Sequence, residues 1–78
     1  MDTNSMKAKN ANILVKVNGE DLFIEENLSI LNLLDNHQIS KDKVVIELNK
    51  EILPKDRFHS TILHQNDSIE IVTFVGGG

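Results

Sequence analysis

Hydrophobic and polar positions alternate from residue 13 onward. The segment ILVKV, residues 13–17, has the period of two and the β-branched content of a strand with one buried face. Asn18 and Gly19 follow, and this pair strongly favours a hairpin turn because both residues tolerate positive φ. The segment LFIEE, residues 22–26, is therefore predicted to return as a second, antiparallel strand.

The period changes in SILNLLDNHQI, where apolar residues recur at the spacing of a helix. The predicted apolar stripe consists of Ile30, Leu33 and Leu34. Ser29 is placed to cap the first turn, and Asn36 is predicted to end the helix in a left-handed conformation. Ile39 is expected to pack back under the helix. Such a short helix needs a sheet to lie on.

The strand pattern then resumes. Residues 43–48 predict a third strand, which the tight turn Asn49-Lys50 connects to a short fourth segment at residues 51–53. Pro54 ends that segment and places it at an edge of the sheet, because proline has no N–H to donate to a neighbouring strand.

The region 55–63 is irregular and is expected to contain a 3₁₀ turn. Its predicted anchors in the core are Phe58, Ile62 and Leu63. Asn66-Asp67 predicts another turn, and residues 68–75 predict the last strand. Ile69 and Ile71 would face one way along this strand, and the opposite face would carry Glu70, Val72 and Phe74.

This order of elements predicts an α+β domain of the β-grasp (ubiquitin-like) type. The mixed sheet would have four to five strands, with one helix packed on one face. The first and last strands would be central neighbours, the second would flank the first, and the third would join the last. Residues 1–12 are polar and predict a disordered extension, residues 13–75 the β-grasp domain, and residues 76–78 a flexible glycine tail.

Composition narrows the possible functions. The net charge of −4 and the absence of Trp and Tyr argue against a nucleic-acid partner. No apolar run approaches the length of a membrane span, and the N-terminal residues do not form a secretory signal. The chain has no Cys, which excludes disulfides, thiolate metal sites and a cysteine nucleophile. A small domain with no disulfide and no secretory signal is expected in the cytoplasm.

The polar side chains do not form a catalytic or metal-binding motif. The three histidines, His37, His59 and His64, lack metal-ligand spacing, and the carboxylates read as solvent-facing strand positions. No serine lies in a GxSxG motif, and the glycines do not form a phosphate-binding loop. The chain is therefore expected not to be an enzyme and to have no metal site.

The chain ends in FVGGG, where a predicted core strand runs directly into Gly76, Gly77 and Gly78. From Phe74 to Gly78 an extended chain spans about 17 Å. Without Cβ atoms, the glycines would fit a slot too narrow for other residues. A terminal carboxylate becomes a useful acyl group once it forms a mixed anhydride with AMP. The alternative is a frayed terminus or a linker without function.

The segments VNGE, VVIELNKEILPKDRF and DSIEIVTFVGGG together resemble the ubiquitin-like sulfur carrier proteins, and in particular the ThiS family of thiamine biosynthesis. The resemblance covers residues 13–78. The first twelve residues have no counterpart in the family pattern. The sequence also departs from this pattern at Lys55-Asp56, which separate Pro54 from Arg57 where family members often have proline directly followed by arginine.

The resemblance implies that Gly78 is the covalent site, converted to an acyl-adenylate and then to a thiocarboxylate. Gly76 and Gly77 would form the tail, and Phe74 and Val75 would contact partners, unless one of them caps the core. The implied partners are an E1-like adenylating enzyme (ThiF-like), thiazole synthase (ThiG-like), and a cysteine desulfurase system as the sulfur source. ATP and Mg²⁺ would be used by the adenylating enzyme, and no cofactor would be bound by the chain itself.

Other functions share this fold and tail. The small subunit of molybdopterin synthase tends to carry prolines before its final glycines, so TFVGGG favours thiamine biosynthesis. A carrier for another sulfur pathway, a ubiquitin-like protein modifier joined through Gly78, and an interaction module with an inert tail remain alternatives.

Overall fold

The computed structural model describes residues 12–74, which form five strands and one α-helix. The strands are β1 (Asn12–Val17), β2 (Glu20–Glu25), β3 (Val44–Leu48), β4 (Glu51–Leu53) and β5 (Ser68–Thr73), and the helix is α1 (Ile30–Asn36). Two 3₁₀ turns, Lys41–Lys43 and Lys55–Arg57, precede β3 and follow β4. The second of these turns was predicted from the sequence.

The predicted hairpin is confirmed, and its strands are slightly longer at their starts than expected. β1 begins at Asn12, which the sequence had assigned to the N-terminal extension, and β2 begins at Glu20 rather than Leu22. Asn18 and Gly19 have φ values of 52° and 86°, which allow the tight connection between the strands. The two strands pair antiparallel from Asn12 opposite Glu25 to Val17 opposite Glu20.

The start of α1 is a reciprocal capping box. The hydroxyl of Ser29 accepts from the amide of Asn32 at 3.0 Å, and the side-chain oxygen of Asn32 accepts from the amide of Ser29 at 3.2 Å. Asn32 occupies the third helical position, where a capping box more often has Glu or Gln. The predicted N-cap is therefore confirmed.

The end of α1 corrects the prediction for Asn36. Asn36 is still helical, His37 is the C-cap, and the left-handed residue is Gln38, with φ 55°. The amide of Ile39 donates to the carbonyl of Leu34 at 2.9 Å, and the amide of Gln38 donates to the carbonyl of Asp35 at 3.1 Å. These two bonds form a Schellman motif, which turns the chain and lets Ile39 pack against the core as predicted.

The strands are ordered β2-β1-β5-β3-β4, as the sequence predicted. β1 and β5 pair in parallel at the centre, and the other neighbouring pairs are antiparallel. The parallel register is short, with Lys16 opposite Ser68 and Val17 opposite Ile69. The last strand was predicted over residues 68–75, but β5 ends at Thr73. Phe74 follows the strand, and Val75 lies outside the described residues.

The core lies between α1 and the face of the sheet that the helix covers. Its buried apolar residues are Val15, Ile24, Ile30, Leu33, Leu34, Val44, Ile46, Phe58, Leu63 and Ile69. Phe58 and Leu63 anchor the irregular region as expected, but the prediction for Ile62 is wrong. Ile62 forms an isolated bridge with Ser29 and remains at the surface, because Leu63 provides the inward-facing side chain.

Candidate functional site

The candidate site is the end of β5, where the chain approaches its terminal glycines. Phe74 is the last described residue, and its amide donates to the carbonyl oxygen of Lys43 at 3.0 Å. This bond continues the pairing of β5 with β3 one residue beyond the strand. The base of the tail is therefore fixed to the sheet rather than starting from a loose loop.

Phe74 does not fill the core. The sequence had left open whether Phe74 contacts partners or caps the core. Its side chain is 46% exposed, so it does not cap the core, and partner contact stays a prediction. Val75, Gly76, Gly77 and Gly78 lie outside the described residues. For Val75 the choice between partner contact and core packing thus stays a prediction, as do the roles of the three glycines.

Phe74 belongs to an exposed apolar patch on the sheet face opposite α1. We call this patch the tail-proximal surface, and its members are Val45, Ile52, Val72 and Phe74, all of them exposed. Val45 lies directly opposite Val72, and Ile52 is a diagonal neighbour of Val45 because it pairs with Glu47. These four apolar side chains, of which Phe74 adjoins the tail, form a patch of the kind that marks an interaction site.

Sequence reasoning missed three of these four residues. The sequence placed Val72 on the same face of the last strand as Glu70 and Phe74, Val45 in the third strand and Ile52 in the short fourth segment, but it did not connect them. The available signal was the pattern itself. A sheet with one solvent-exposed face should alternate apolar and polar residues, so a valine that shares a strand face with a glutamate, as in both β3 and β5, is unexpected.

Two glutamates and one lysine lie beside the tail-proximal surface. Glu47 and Glu70 lie directly opposite each other on β3 and β5, and two like charges at that spacing repel. They line a shallow surface depression with Val72, Ser68 and Lys50. A basic side chain from a partner would relieve this repulsion.

The three histidines and the remaining acidic groups do not converge. Among residues 12–74, no three His, Asp or Glu side chains lie close enough together to hold a metal ion. Over the same residues, no helix has the length and hydrophobicity needed to cross a bilayer.

Comparison with known proteins shows which family shares this sequence. The model of the ThiS family matches residues 10–78, which includes all of the described fold and the terminal glycines. The chain belongs to the ThiS family. Membership confirms the resemblance inferred from its motifs.

A relative and a solved structure from this family agree along most of the chain. The sulfur carrier protein ThiS of Bacillus subtilis (strain 168) is 41% identical over 66 residues, which cover 83% of this chain and 100% of that protein. The crystal structure of the thiamine biosynthesis protein ThiS from Geobacter metallireducens has a TM-score of 0.73 and 30% identity. It covers 85% of this chain and 100% of its own. The β-grasp fold is thereby confirmed.

A third relative is much longer than this chain. The thiazole synthase of Paramagnetospirillum magneticum (strain ATCC 700264 / AMB-1) is 34% identical over 62 residues, which cover 80% of this chain but only 19% of that protein. A segment similar to this chain is therefore part of a larger polypeptide named for thiazole formation.

Proposed function

We propose that this chain is a sulfur carrier protein of thiamine biosynthesis and that Gly78 carries the sulfur. The observation that supports this most directly is the family match, which runs through Gly78 rather than ending with the sheet. The structure adds a firm platform for the tail, since the amide of Phe74 donates to the carbonyl of Lys43, the residue just before β3. In this proposal the chain is a co-substrate for other enzymes and does not itself catalyse a reaction.

The proposed chemistry takes place at the carboxylate of Gly78. A carboxylate oxygen attacks the α-phosphorus of ATP, pyrophosphate leaves, and an acyl-adenylate forms. The outer sulfur of a persulfide from a cysteine desulfurase system then attacks the acyl carbon and displaces AMP, which gives an acyl disulfide. A thiol reductant attacks the donor sulfur of this disulfide, forms a new disulfide with the donor, and releases the thiocarboxylate. ATP and Mg²⁺ belong to the E1-like adenylating enzyme, so the carrier needs no cofactor of its own.

The thiocarboxylate would then donate its sulfur to thiazole synthase. The relative from Paramagnetospirillum magneticum supports this partner, because it combines a segment similar to this chain with a much larger remainder in one thiazole synthase. Physical linkage of a carrier to its acceptor raises the local concentration of one for the other. Separate chains must instead form a docking surface.

The tail-proximal surface is the proposed docking site for these partners. Its apolar centre is flanked by Glu47 and Glu70, so the complementary surface would be apolar with a basic residue at its border. Phe74, which the sequence proposed together with Val75 as a partner contact, is the member of this surface that adjoins the tail. A partner that covers it would receive the tail in a defined direction.

Mass spectrometry after incubation with ATP, Mg²⁺, the adenylating enzyme and a sulfur source tests the proposal. The expected result is a mass gain equal to the difference between one sulfur and one oxygen atom, located at Gly78 by fragmentation. Adducts through lysine would instead identify a protein modifier. An unchanged mass with an enzyme that adenylates a known ThiS protein would contradict both functions. Rescue of a deletion strain by thiamine, rather than by molybdenum cofactor, distinguishes the two sulfur pathways.

A further inference from the structure

The last part of β5 has a strand neighbour on only one side. The tight turn at Asn18 and Gly19 ends β1 at Val17, so its pairing with β5 stops at Ile69. β5 continues to Thr73 and remains paired with β3 on the other side. Among residues 12–74, no strand occupies the place beside Ile71 and Thr73 that a longer β1 would have taken.

The backbone groups of Ile71 and Thr73 point toward this open place. The amide of Phe74 donates to Lys43, and the carbonyl of Ser68 accepts from Asn49, so the even-numbered residues of β5 direct their backbone groups toward β3. Because successive residues alternate, Ile71 and Thr73 direct theirs the opposite way.

Asn18 already takes the place of a strand residue at the start of this open edge. Its side-chain oxygen accepts from the amide of Ile71 at 2.7 Å, whereas a continued β1 would have offered a backbone carbonyl. The carbonyl of Ile71 and the amide of Thr73 come next along the edge. In the part of the chain that the structure describes, β1 has no residue in register with either of them.

An apolar groove of about 240 Å³ lies beside this edge, on the α1 side of the sheet. Its lining residues are Val17, Asn18, Leu22, Leu33, His37, Ile39, Ile71 and Thr73. The groove continues toward the hairpin, where Glu20 and Asp21 join its lining. Asp21 is paired with Lys16 at 2.7 Å, while His37 faces the same space from the end of α1.

We propose that the free edge of β5 at Ile71–Thr73 binds an extended strand from a partner protein, by backbone pairing. The strand would occupy the place left by β1, accept from the amide of Thr73, donate to the carbonyl of Ile71, and place an aliphatic side chain in the groove. Glu20, the acidic residue of this lining that does not share the Lys16–Asp21 ion pair, favours a basic residue in that strand. This interaction is separate from the sulfur-transfer chemistry at Gly78. It would fix the direction of β5 immediately before the tail.

To lie beside both Thr73 and Ile71, the chain after Phe74 would have to reverse its direction in a turn and run back along the open edge. A separate polypeptide needs no such turn. The proposal therefore commits to a partner strand.

The test uses the full ¹⁵N-labelled chain and a capped seven-residue peptide that alternates valine with threonine and has lysine at both ends. Binding with a dissociation constant on the order of 1 mM is expected from such short pairing. The amide resonances of Ile71, Thr73 and the groove residues should shift, and hydrogen exchange at the Thr73 amide should slow at least about fivefold. A matched peptide N-methylated at alternate residues has the same side chains but should produce neither effect.

Two variants make the test independent of side-chain contacts. Thr73→Pro removes the amide at the open edge but keeps the bonds to β3, which use Val72 and Phe74, and proline is tolerated where the N–H faces outward. Thr73→Val keeps the amide and should respond like the original chain. Dispersed spectra for both variants establish that they fold.

Several results would overturn the proposal. These are no response at several times the expected dissociation constant, an equal response to the N-methylated peptide, and an unchanged response of Thr73→Pro. Slowed exchange on β2 or β4 instead of at Thr73 would place strand addition at an outer edge and also contradict it. The enzymes of sulfur transfer are absent from this test, so its failure is separate from a failure of the proposed function.

Discussion

Phe74 and Lys43 are joined through their backbones, with the amide of Phe74 donating to the carbonyl of Lys43 at 3.0 Å. The bond holds Phe74 in line with β5 even though the strand ends at Thr73. Its side chain therefore stays beside Val72 and Val45 on the outer face of the sheet, and the apolar surface extends to the tail without a break in the sheet.

Val72→Asp should weaken binding to the adenylating enzyme by about tenfold or more. The substitution puts a charge at the centre of the tail-proximal surface, next to Glu70, where burial against a partner would desolvate it. Because Val72 is 58% exposed, the domain should unfold at nearly the same denaturant concentration as the original chain. Isothermal titration calorimetry measures the affinity, and urea unfolding checks the stability.

Phe23→Asp is the matched control for this surface. Phe23 is 70% exposed on the same face of the sheet but lies on β2, opposite Leu14 and away from the tail. Its substitution should change the affinity less than about threefold. Equal losses for the two variants would argue that the whole face docks, and no loss for Val72→Asp would remove the tail-proximal surface from the docking site.

Ile46→Ala should lower the free energy of unfolding by about 2–5 kcal/mol. Ile46 is fully buried on β3, between its partners Ile71 and Leu53, so the truncation leaves a cavity in the centre of the sheet's covered face. Ile52→Ala removes the same atoms from a side chain that is 62% exposed and should cost less than about 1 kcal/mol. Urea unfolding of both variants measures the difference. Similar costs would mean that Ile52 is covered in solution.

The fold could be predicted from the sequence wherever one local signal agreed with the periodicity. Asn18-Gly19 specified the hairpin, and Ser29 marked the start of α1. The end of α1 could not be read in this way, because asparagine tolerates the left-handed conformation better than glutamine. The fold nevertheless puts Gln38 there, since the bond from Ile39 to Leu34 and the packing of Ile39 fix where the chain must turn.

The candidate site was predictable only in part. The motif around the glycines indicated the tail, and the alternation along β5 placed Phe74 on the outward face. The tail-proximal surface depends on register, which puts Val45 opposite Val72 and Ile52 diagonal to Val45. Register between strands far apart in sequence is set by the whole core, and a single sequence without structure does not reveal it.

The pKa of Asp42 should rise toward its ordinary value of 3.8 in Lys55→Met. In the original chain, the Lys55 ammonium donates a hydrogen bond to the Asp42 carboxylate at 2.9 Å and lowers its pKa, and Lys41 and Lys43 act in the same direction. A carboxyl with a lowered pKa in the folded state stabilises the fold above its unfolded pKa, and this contribution disappears as the pH falls through the lowered value. Asp42 is fully exposed, so the effect on stability should be small.

NMR titration of the side-chain carboxyl groups measures the pKa of Asp42. Lys50→Met is the control, since it removes one positive charge from the turn at the far end of β3 and should leave the pKa of Asp42 nearly unchanged. An equal rise in both variants would show a general charge effect instead of the specific pair.

Deletion of Gly78 should abolish thiocarboxylate formation while the fold remains intact. The proposed reaction needs the carboxylate to reach an adenylating site at the full length of the tail, and one residue less withdraws it by about 3.5 Å. Among residues 12–74, the buried core lies between Val15 and Ile69, so the deletion is expected to leave this packing unchanged. Mass spectrometry after the adenylation reaction measures the product, and thermal unfolding should give the same midpoint within about 2 °C.

Gly76→Ala, which keeps the length and adds one methyl group, separates the requirement for reach from the requirement for a narrow tail. Full thiocarboxylate formation by the shortened chain would show that the terminal carboxylate need not lie at Gly78, and a lowered unfolding midpoint would show that the tail contributes to the fold.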